Sequence, residues 1–393
     1  MQKYTDITTA AELQQFCNRH RATASIGFDT EFVSEDTFIP DLCLIQVAVA
    51  GELAVIDTKT IEDLAPFWQL LTTAQETVVH AAREEFLFCL RSTGQRPGGM
   101  VDLQIAAGFV GLEYPASYGN LIGKVVGKSL GKGETRTDWR RRPLTKPQID
   151  YALQDVVYLH ALRDGLLNDI EKLGRTKWLA EEMETSQAAL EETLSRQRWR
   201  RVSGISGLSP RAMAIVRELW RWRDAEALRR NVPVKRVLRD DLLVEMARRQ
   251  TADVSRIKAV RGMNRRDVTP HLQDFAECIE RALALKNEEL PRTERRDLPA
   301  QLTVLGQFLA AALASVCRLE NLAPSLVFTL QDIRDFVAHE LGYSQPDDEP
   351  PRLAVGWRAE VIGELIDDFL AGKLAIRIDD PLSDHPLKLE KFP

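Results

Sequence analysis

Between residues 24 and 57 the chain runs in three short apolar blocks, ASIGFDTEF, LCLIQVAVA and ELAVIDT, separated by Pro40–Asp41 and Gly51–Glu52. Blocks of that length between turn residues predict a three-strand meander. Next, IEDLAPFWQLL has helical spacing, ETVVHAA predicts a buried strand, and REEFLFCLRST a second helix. After a turn at RPGG, MVDLQIAAGFVG reads as a strand fragment passing into a helix. SYGNLIGKVVG is helical, and KSLGKGETRTDWRRRPLT is a long polar loop. A well-marked helix follows. Thr145 can cap it, Pro147 suits its first turn, and Gln148 completes a capping box. Its apolar positions Ile149, Ala152, Leu153, Val156 and Leu159 recur at helical spacing. Strands first, then helices alternating with strands, predict a mixed α/β sheet with helices packed on it.

From about residue 165 no strand pattern is convincing until the end of the chain. EKLGRTKWLAEEMETSQAALEETLSRQRWRR reads as a helical connector, and PRTERRDLP, with its charges and prolines, as a linker. The 393 residues therefore divide into a first domain over 1–190, a helical module over 203–287 and a mostly helical region over 299–388. There is no internal repeat of useful fidelity. No apolar run is expected to reach the roughly 18 residues of a membrane helix, and MQKYTDITTAAEL lacks a signal-peptide core. The five cysteines are scattered without a C-x-x-C pair. That excludes a disulfide framework and a cysteine zinc site, and predicts a reduced, cytoplasmic protein.

Charge changes this picture in one place. Residues 196–266 carry 20 Lys and Arg against 7 Asp and Glu, within a chain of net charge −6. Such a split points to a module that faces a polyanion, joined to a body doing something else; an Arg-rich solvated bundle would give the same count.

Candidate chemistry begins with Asp29 and Glu31. Alternate strand residues share a face, so two carboxylates converge there and must share protons or bind a cation. A pair of magnesium or manganese ions about 3.5–4 Å apart suits oxygen ligands of this kind and suits phosphodiester cleavage. The same spacing at Asp224–Glu226 and Asp347–Glu349 needs nothing beyond a charged surface. What distinguishes the first pair is its setting, with Ile26 and Phe28 before it and Phe32 and Val33 after it. In the capped helix, Tyr151 and Asp155 stand four apart and project together, a carboxylate for metal beside a phenol that can position water. An ordinary surface tyrosine explains that pair equally well. Tyr343 and Asp347 repeat the spacing, but Pro346 breaks the helix there. Between these motifs, His80 ends a strand, and Glu84 and Glu85 open a helix whose dipole favours acids.

Taken together, FDTEF, VVHAAREEF and ETRTDWRRRPLTKPQIDYALQDVVYL resemble ribonuclease D, of the four-acid 3′→5′ exonucleases with a catalytic tyrosine. The resemblance covers about residues 3–185. It implies an α/β RNase H-like exonuclease domain followed by all-α helical domains, two divalent ions (Mg²⁺ or Mn²⁺), and release of nucleoside 5′-monophosphates from RNA 3′ ends such as those of tRNA precursors. By the resemblance, Asp29 bridges both metals, Glu31 and Asp155 complete the first site, and Tyr151 orients the attacking water. One motif departs from the family's His-Ala-Gly-x-Glu-Asp: here it reads His80-Ala-Ala-Arg-Glu-Glu85. The fourth carboxylate would then be Glu85, one methylene longer, with Glu84 in reserve and a bias toward manganese. Asp102 reads as a cap for the following helix. Arg136, Arg140, Arg141 and Arg142 are candidates for phosphate contacts, with Trp139 either stacking on a base or packing under the loop.

The segment GLSPRAMAIVRELWRWRDAEALRRNVPVKRVLRDDLLVEMARRQ and its continuation resemble an HRDC domain. Trp220 reads as core, whereas Arg229, Arg230, Lys235, Arg236 and Arg239 gather around one inter-helix turn as RNA contacts. The 299–388 region is consistent with a diverged second copy. A monomer with an RNA partner and no membrane partner is expected. Two other readings stay open from sequence: a DNA 3′→5′ exonuclease, and a binding protein whose altered fourth acid marks a lapsed site.

Overall fold

Six strands form the central sheet of the computed structural model, which describes residues 3–131, 137–195, 198–291, 299–343 and 349–392. They are β1 (Thr5–Ile7), β2 (Ser25–Val33), β3 (Asp41–Val49), β4 (Glu52–Asp57), β5 (Glu76–Val79) and β6 (Met100–Asp102), in the order β1-β4-β3-β2-β5-β6. The meander is β2–β4, and β5 and β6 extend it in parallel from β2. β3 is buried from Cys43 through Val49, as a run apolar but for Gln46 requires of a strand covered on both faces.

Helices α1 (Ala10–His20), α2 (Ala65–Thr73), α3 (Arg83–Thr93), α4 (Leu103–Gly108), α5 (Tyr118–Leu121), α6 (Lys146–Val157), α7 (Leu159–Lys172) and α8 (Thr176–Ser195) belong to this part of the chain. The capping box on α6 is present: Thr145 accepts from the Gln148 N–H, and the Gln148 side chain accepts from the Thr145 N–H at 2.9 Å. β1 and α1 were not foreseen, although Thr9 and Glu12 make a second capping box at the start of α1. The helix expected at SYGNLIGKVVG is one α turn, α5, running into a π-helical turn over Ile122–Val126.

The chain forms two compact units. The first comprises Met1–Glu31, Leu44–Glu191 and Asp297–Pro393. Here the C-terminal helices Gln301–Leu319, Pro324–Val327, Leu330–Glu340 and Glu364–Leu370 share one apolar core with the sheet's helices: Leu103, Ala106 and Phe109 pack with Leu309, Leu313 and Trp357. Two buried arginines fasten it. Arg175 donates to the carbonyls of Phe109, Asn321 and Glu320. Arg358 forks onto Glu182 of α8 at 2.6 and 2.8 Å and also donates to the carbonyls of Leu326 and Val327. A two-stranded ribbon, β7 (Leu374–Ile378) and β8 (Leu387–Lys391), follows the last helix.

One expectation is corrected here. Helix Gln301–Leu319 is long and apolar enough to cross a membrane. Its polar residues Gln301, Thr303 and Gln307 had disguised it as an interrupted run. Leu302, Leu309, Leu313 and Cys317 are buried in the shared core, while Val304, Phe308 and Leu319 are exposed.

The second unit comprises Phe32–Cys43 and Glu192–Arg296. Helices Pro210–Arg230, Val234–Val237, Asp240–Arg249, Val254–Lys258 and Leu272–Ala284 enclose Ile215, Leu219, Leu243, Phe275 and Ile279. Trp220 and Trp222 pack against that core, and Trp222 meets Phe275 edge-on at 4.8 Å. Asn231 ends the first of these helices in the left-handed conformation, and its Oδ1 accepts the N–H groups of Phe38 and Ile39. The same succession recurs near the C-terminus. A long helix, Gln301–Leu319, is followed by left-handed Asn321, a short helix opening on Pro324, and the capped helix Leu330–Glu340. Little beyond the Asn and the Pro survives in sequence, which hid the repeat.

Candidate active site

On β2, Ile26, Phe28 and Thr30 are buried on one face, and Gly27, Asp29 and Glu31 occupy the other. Gly27 explains why a helix comes so near: a Cβ there would lie 3.2 Å from Leu159 Cδ1 and 3.3 Å from His160 Cε1. With the α6–α7 junction seated on that glycine, Asp155, about one turn earlier, is held over the strand's two acids. Carboxylate oxygens of Asp29, Glu31 and Asp155 all lie within 4.8 Å of one another. An all-oxygen donor set of this density fits a hard divalent cation.

Other residues hold the acids in place. Gln46 on β3 is fully buried and donates through Nε2 to Asp29 Oδ2 at 2.7 Å. The Tyr151 hydroxyl hydrogen-bonds Asp155, one turn along the same helix face. Buried Trp139 lies against the Tyr151 ring, with 6.2 Å between centroids, so it packs beneath the loop rather than offering a face to a base. Gln46 was not foreseen. Its signal was a lone amide inside the apolar run LCLIQVAVA, since a buried polar side chain requires a partner.

Glu85 stands apart from the three clustered acids. It is buried, and its Oε1 accepts the Thr30 hydroxyl at 2.6 Å, yet it is near enough for its charge to act on Asp29 and Glu31. Asp102 caps α4 through the Gln104 N–H, as expected. Among the arginines of the loop, Arg136 lies outside the described residues. Arg142 is engaged elsewhere: its guanidinium forks onto Asp57 at 2.6 Å on both arms and holds the Trp139 carbonyl at 2.7 Å. It ties the loop to the end of β4; Arg140 is half-buried and Arg141 exposed. In the second unit Arg229 pairs with Glu226 and Arg239 with Asp241, and Arg230, Lys235 and Arg236 are exposed. A groove of about 560 Å³ is lined by Lys235, Arg239 and Arg248 together with Asp240 and Asp241.

Crowding dominates the electrostatics. Burial pushes Glu31 up to about 8, with Asp155 and Glu85 adding to it. Burial likewise lifts Asp155 to about 7 and Glu85 to about 7. Asp29 rises well above the carboxylate range, by burial and then by the charges of Glu85, Asp155 and Glu31. Near neutral pH this cluster cannot all be ionised without a cation. Tyr151 is raised by burial and the neighbouring acids, so its hydroxyl keeps its proton and donates.

A stability prediction follows from these shifts. Because the acids bind protons more tightly folded than unfolded, their contribution is complete below their ordinary pKa, near 4, and is lost as pH rises through about 7 to 8. In chelator, the melting temperature should therefore fall between pH 5.5 and 8.5. Added magnesium should raise it most at the alkaline end, since the metal displaces protons. A chelator melting temperature that climbs over this window contradicts the cluster's electrostatics.

Known proteins resemble this chain along nearly its whole length. A family model described as 3′-5′ exonuclease matches residues 4–171, and one described as HRDC domain matches residues 212–279. A ribonuclease D of Gluconacetobacter diazotrophicus is 32% identical over 378 residues, covering 95% of this chain and 94% of the relative. The chain belongs to the ribonuclease D family. A second ribonuclease D, from Sphingobium indicum, is 33% identical over 388 residues, covering 96% of this chain and 97% of the relative. Among solved structures, Escherichia coli RNase D, an exoribonuclease involved in structured RNA processing, superposes with a TM-score of 0.82 at 27% identity, covering 94% of this chain and 99% of that chain. As a ribonuclease D, the protein is a 3′→5′ exoribonuclease with an α/β catalytic domain and all-α HRDC-like helices.

Proposed function

We propose that this ribonuclease D trims the 3′ ends of structured RNAs, tRNA precursors among them, one 5′-monophosphate at a time, at a centre of two divalent ions (Mg²⁺ or Mn²⁺). The observation that carries the reading is the convergence of Asp29, Glu31 and Asp155 on one point, with the Tyr151 hydroxyl already on Asp155. When bound, the ions stabilise the charge that develops on the scissile phosphate and lower the pKa of water. Asp29, Glu31 and Asp155 would hold the first ion, and Glu85 with Asp29 would hold the second. Its Oε1 holds the Thr30 hydroxyl, which leaves Oε2 as the oxygen Glu85 would offer to an ion. Gln46 keeps one Asp29 oxygen engaged and so fixes the direction of the other. Tyr151, protonated, orients the attacking water by donating to Asp155 or accepting from the water itself.

Capture of the RNA falls to cations. Arg140 and Arg141 contact the strand near the site, with Arg136 and Arg142 of the same loop in support. Arg229, Arg230, Lys235, Arg236 and Arg239 of the HRDC module meet phosphates farther along. The modules are 1–190, 203–287 and 299–388, the last a second HRDC-like copy that shares the catalytic domain's core. The protein works as a monomer without a membrane partner. A reducing compartment such as the cytoplasm fits its five free, buried cysteines.

Calorimetric titration with manganese tests the ion count. Two equivalents should bind the wild type and one the Glu85→Ala variant. A single equivalent on the wild type contradicts the two-ion centre.

A further inference from the structure

Three residues, His80, Ala81 and Ala82, connect β5 to α3, the helix that presents Glu85 at its third position. Ala81 sits at φ +62, the left-handed region that a residue with a side chain adopts only at a cost. Ala82 stands at the N-cap of α3, and no side chain of its own caps that helix. The missing acceptor arrives from the neighbouring strand. Asp102, paired with Val79 in the β5–β6 register, accepts the Ala81 N–H at Oδ1 and the Ala82 N–H at Oδ2, each at 3.0 Å. Its Oδ1 also takes the Gln104 N–H at 2.9 Å. The carboxylate is 7% exposed, so no solvent could replace these bonds if it were lost.

We propose that Asp102 is a positioning residue for the fourth acid: it holds the β5–α3 turn in its left-handed conformation and thereby sets where Glu85 is presented. The proposal rests on Glu85 being a metal ligand. A change of φ at Ala81 rotates everything after it, and Glu85 lies four residues on. Asparagine at 102 could not substitute. Its single oxygen can serve Ala81 and Gln104, but its NH₂ would face the Ala82 N–H, donor against donor. With that bond gone, the turn relaxes toward ordinary φ and α3 shifts.

The conformational origin of the effect makes it separable from a general structural role. Glycine adopts left-handed φ freely, so Ala81→Gly should compensate for a weakened clamp. It would do nothing for a defect elsewhere in the fold. Conversely Ala81→Val, at an exposed position with the carboxylate intact, should imitate the loss of Asp102, because a β-branched residue resists that φ.

The test is the magnesium concentration at half of the full thermal shift, measured without RNA on the whole chain. Asp102→Asn should need about tenfold more magnesium than wild type, or more. Ala81→Val should need a similar excess. The double variant Asp102→Asn/Ala81→Gly should return to within about threefold of wild type. An unchanged half-point in Asp102→Asn overturns the proposal, as does a double variant no better than Asp102→Asn. Should Asp102→Asn fail to fold, Ala81→Val decides alone, and an unchanged half-point there overturns it equally. Glu85→Ala runs alongside: a wild-type half-point in that variant removes Glu85 from the metal site, a failure distinct from any result on Asp102.

Discussion

Asp29→Ala is expected to slow 3′ shortening by about a thousandfold or more while the chain stays folded. Asp29 lies at the middle of β2, on the face that Gly27 opens toward the α6–α7 junction, and burial and then the charges of Glu85, Asp155 and Glu31 raise it well above the carboxylate range. Those charged neighbours are all acids, so removing Asp29 relieves a repulsion that offsets the loss of its hydrogen bond from Gln46. In chelator at pH 8 the variant should accordingly melt no lower than wild type, and it should lose most of the magnesium-dependent rise. That combination, a dead enzyme that is no less stable, separates a functional carboxylate from a structural one. Activity within tenfold of wild type sinks the assignment.

The second large effect concerns stability. Glu182→Ala should cost about 3–5 kcal/mol, read by urea denaturation, because it strands a buried guanidinium. Glu182 accepts from both arms of Arg358, from Trp357 Nε1 at 3.0 Å and from Arg352 at 3.3 Å. Arg358 is itself only 4% exposed. Replacing both partners with methionine should recover most of the loss, since burying two apolar chains strands no charge. A single-variant loss below about 1 kcal/mol would show that water reaches Arg358 once Glu182 is gone. The pair joins α8 to the C-terminal helices, so its removal should loosen the 299–388 region before the sheet.

Local signals proved the most legible part of the fold. The meander, the capping box at Thr145 and Gln148, and the same-face placement of Asp29 with Glu31 each depend on residues within a few positions of one another. The capping box at Thr9 and Glu12 was equally local, yet it passed unread because α1 follows a strand of three residues, too short to show alternation. Long-range pairings left no periodic trace. Arg142 carries the charge expected of a phosphate ligand, but its partner Asp57 lies 85 positions earlier in the chain. Nothing near Glu85 announces that Thr30, 55 positions away, takes its oxygen. The C-terminal helices read as a separate module because their helical periods are sound. Which core an apolar face enters is decided by tertiary packing, and Phe109 against Trp357, 4.9 Å between ring centroids, has no counterpart in sequence spacing.

The most direct test of the central claim is a digestion time course on a 3′-extended tRNA transcript and a matched DNA strand. Each is run in magnesium and in manganese, with Asp155→Asn as the control. Stepwise 3′ shortening of the RNA with release of 5′-monophosphates, absent in the variant, is the predicted result, and faster digestion in manganese would mark the longer reach of Glu85. RNA shortening that survives in Asp155→Asn, or shortening confined to the DNA, would contradict the account.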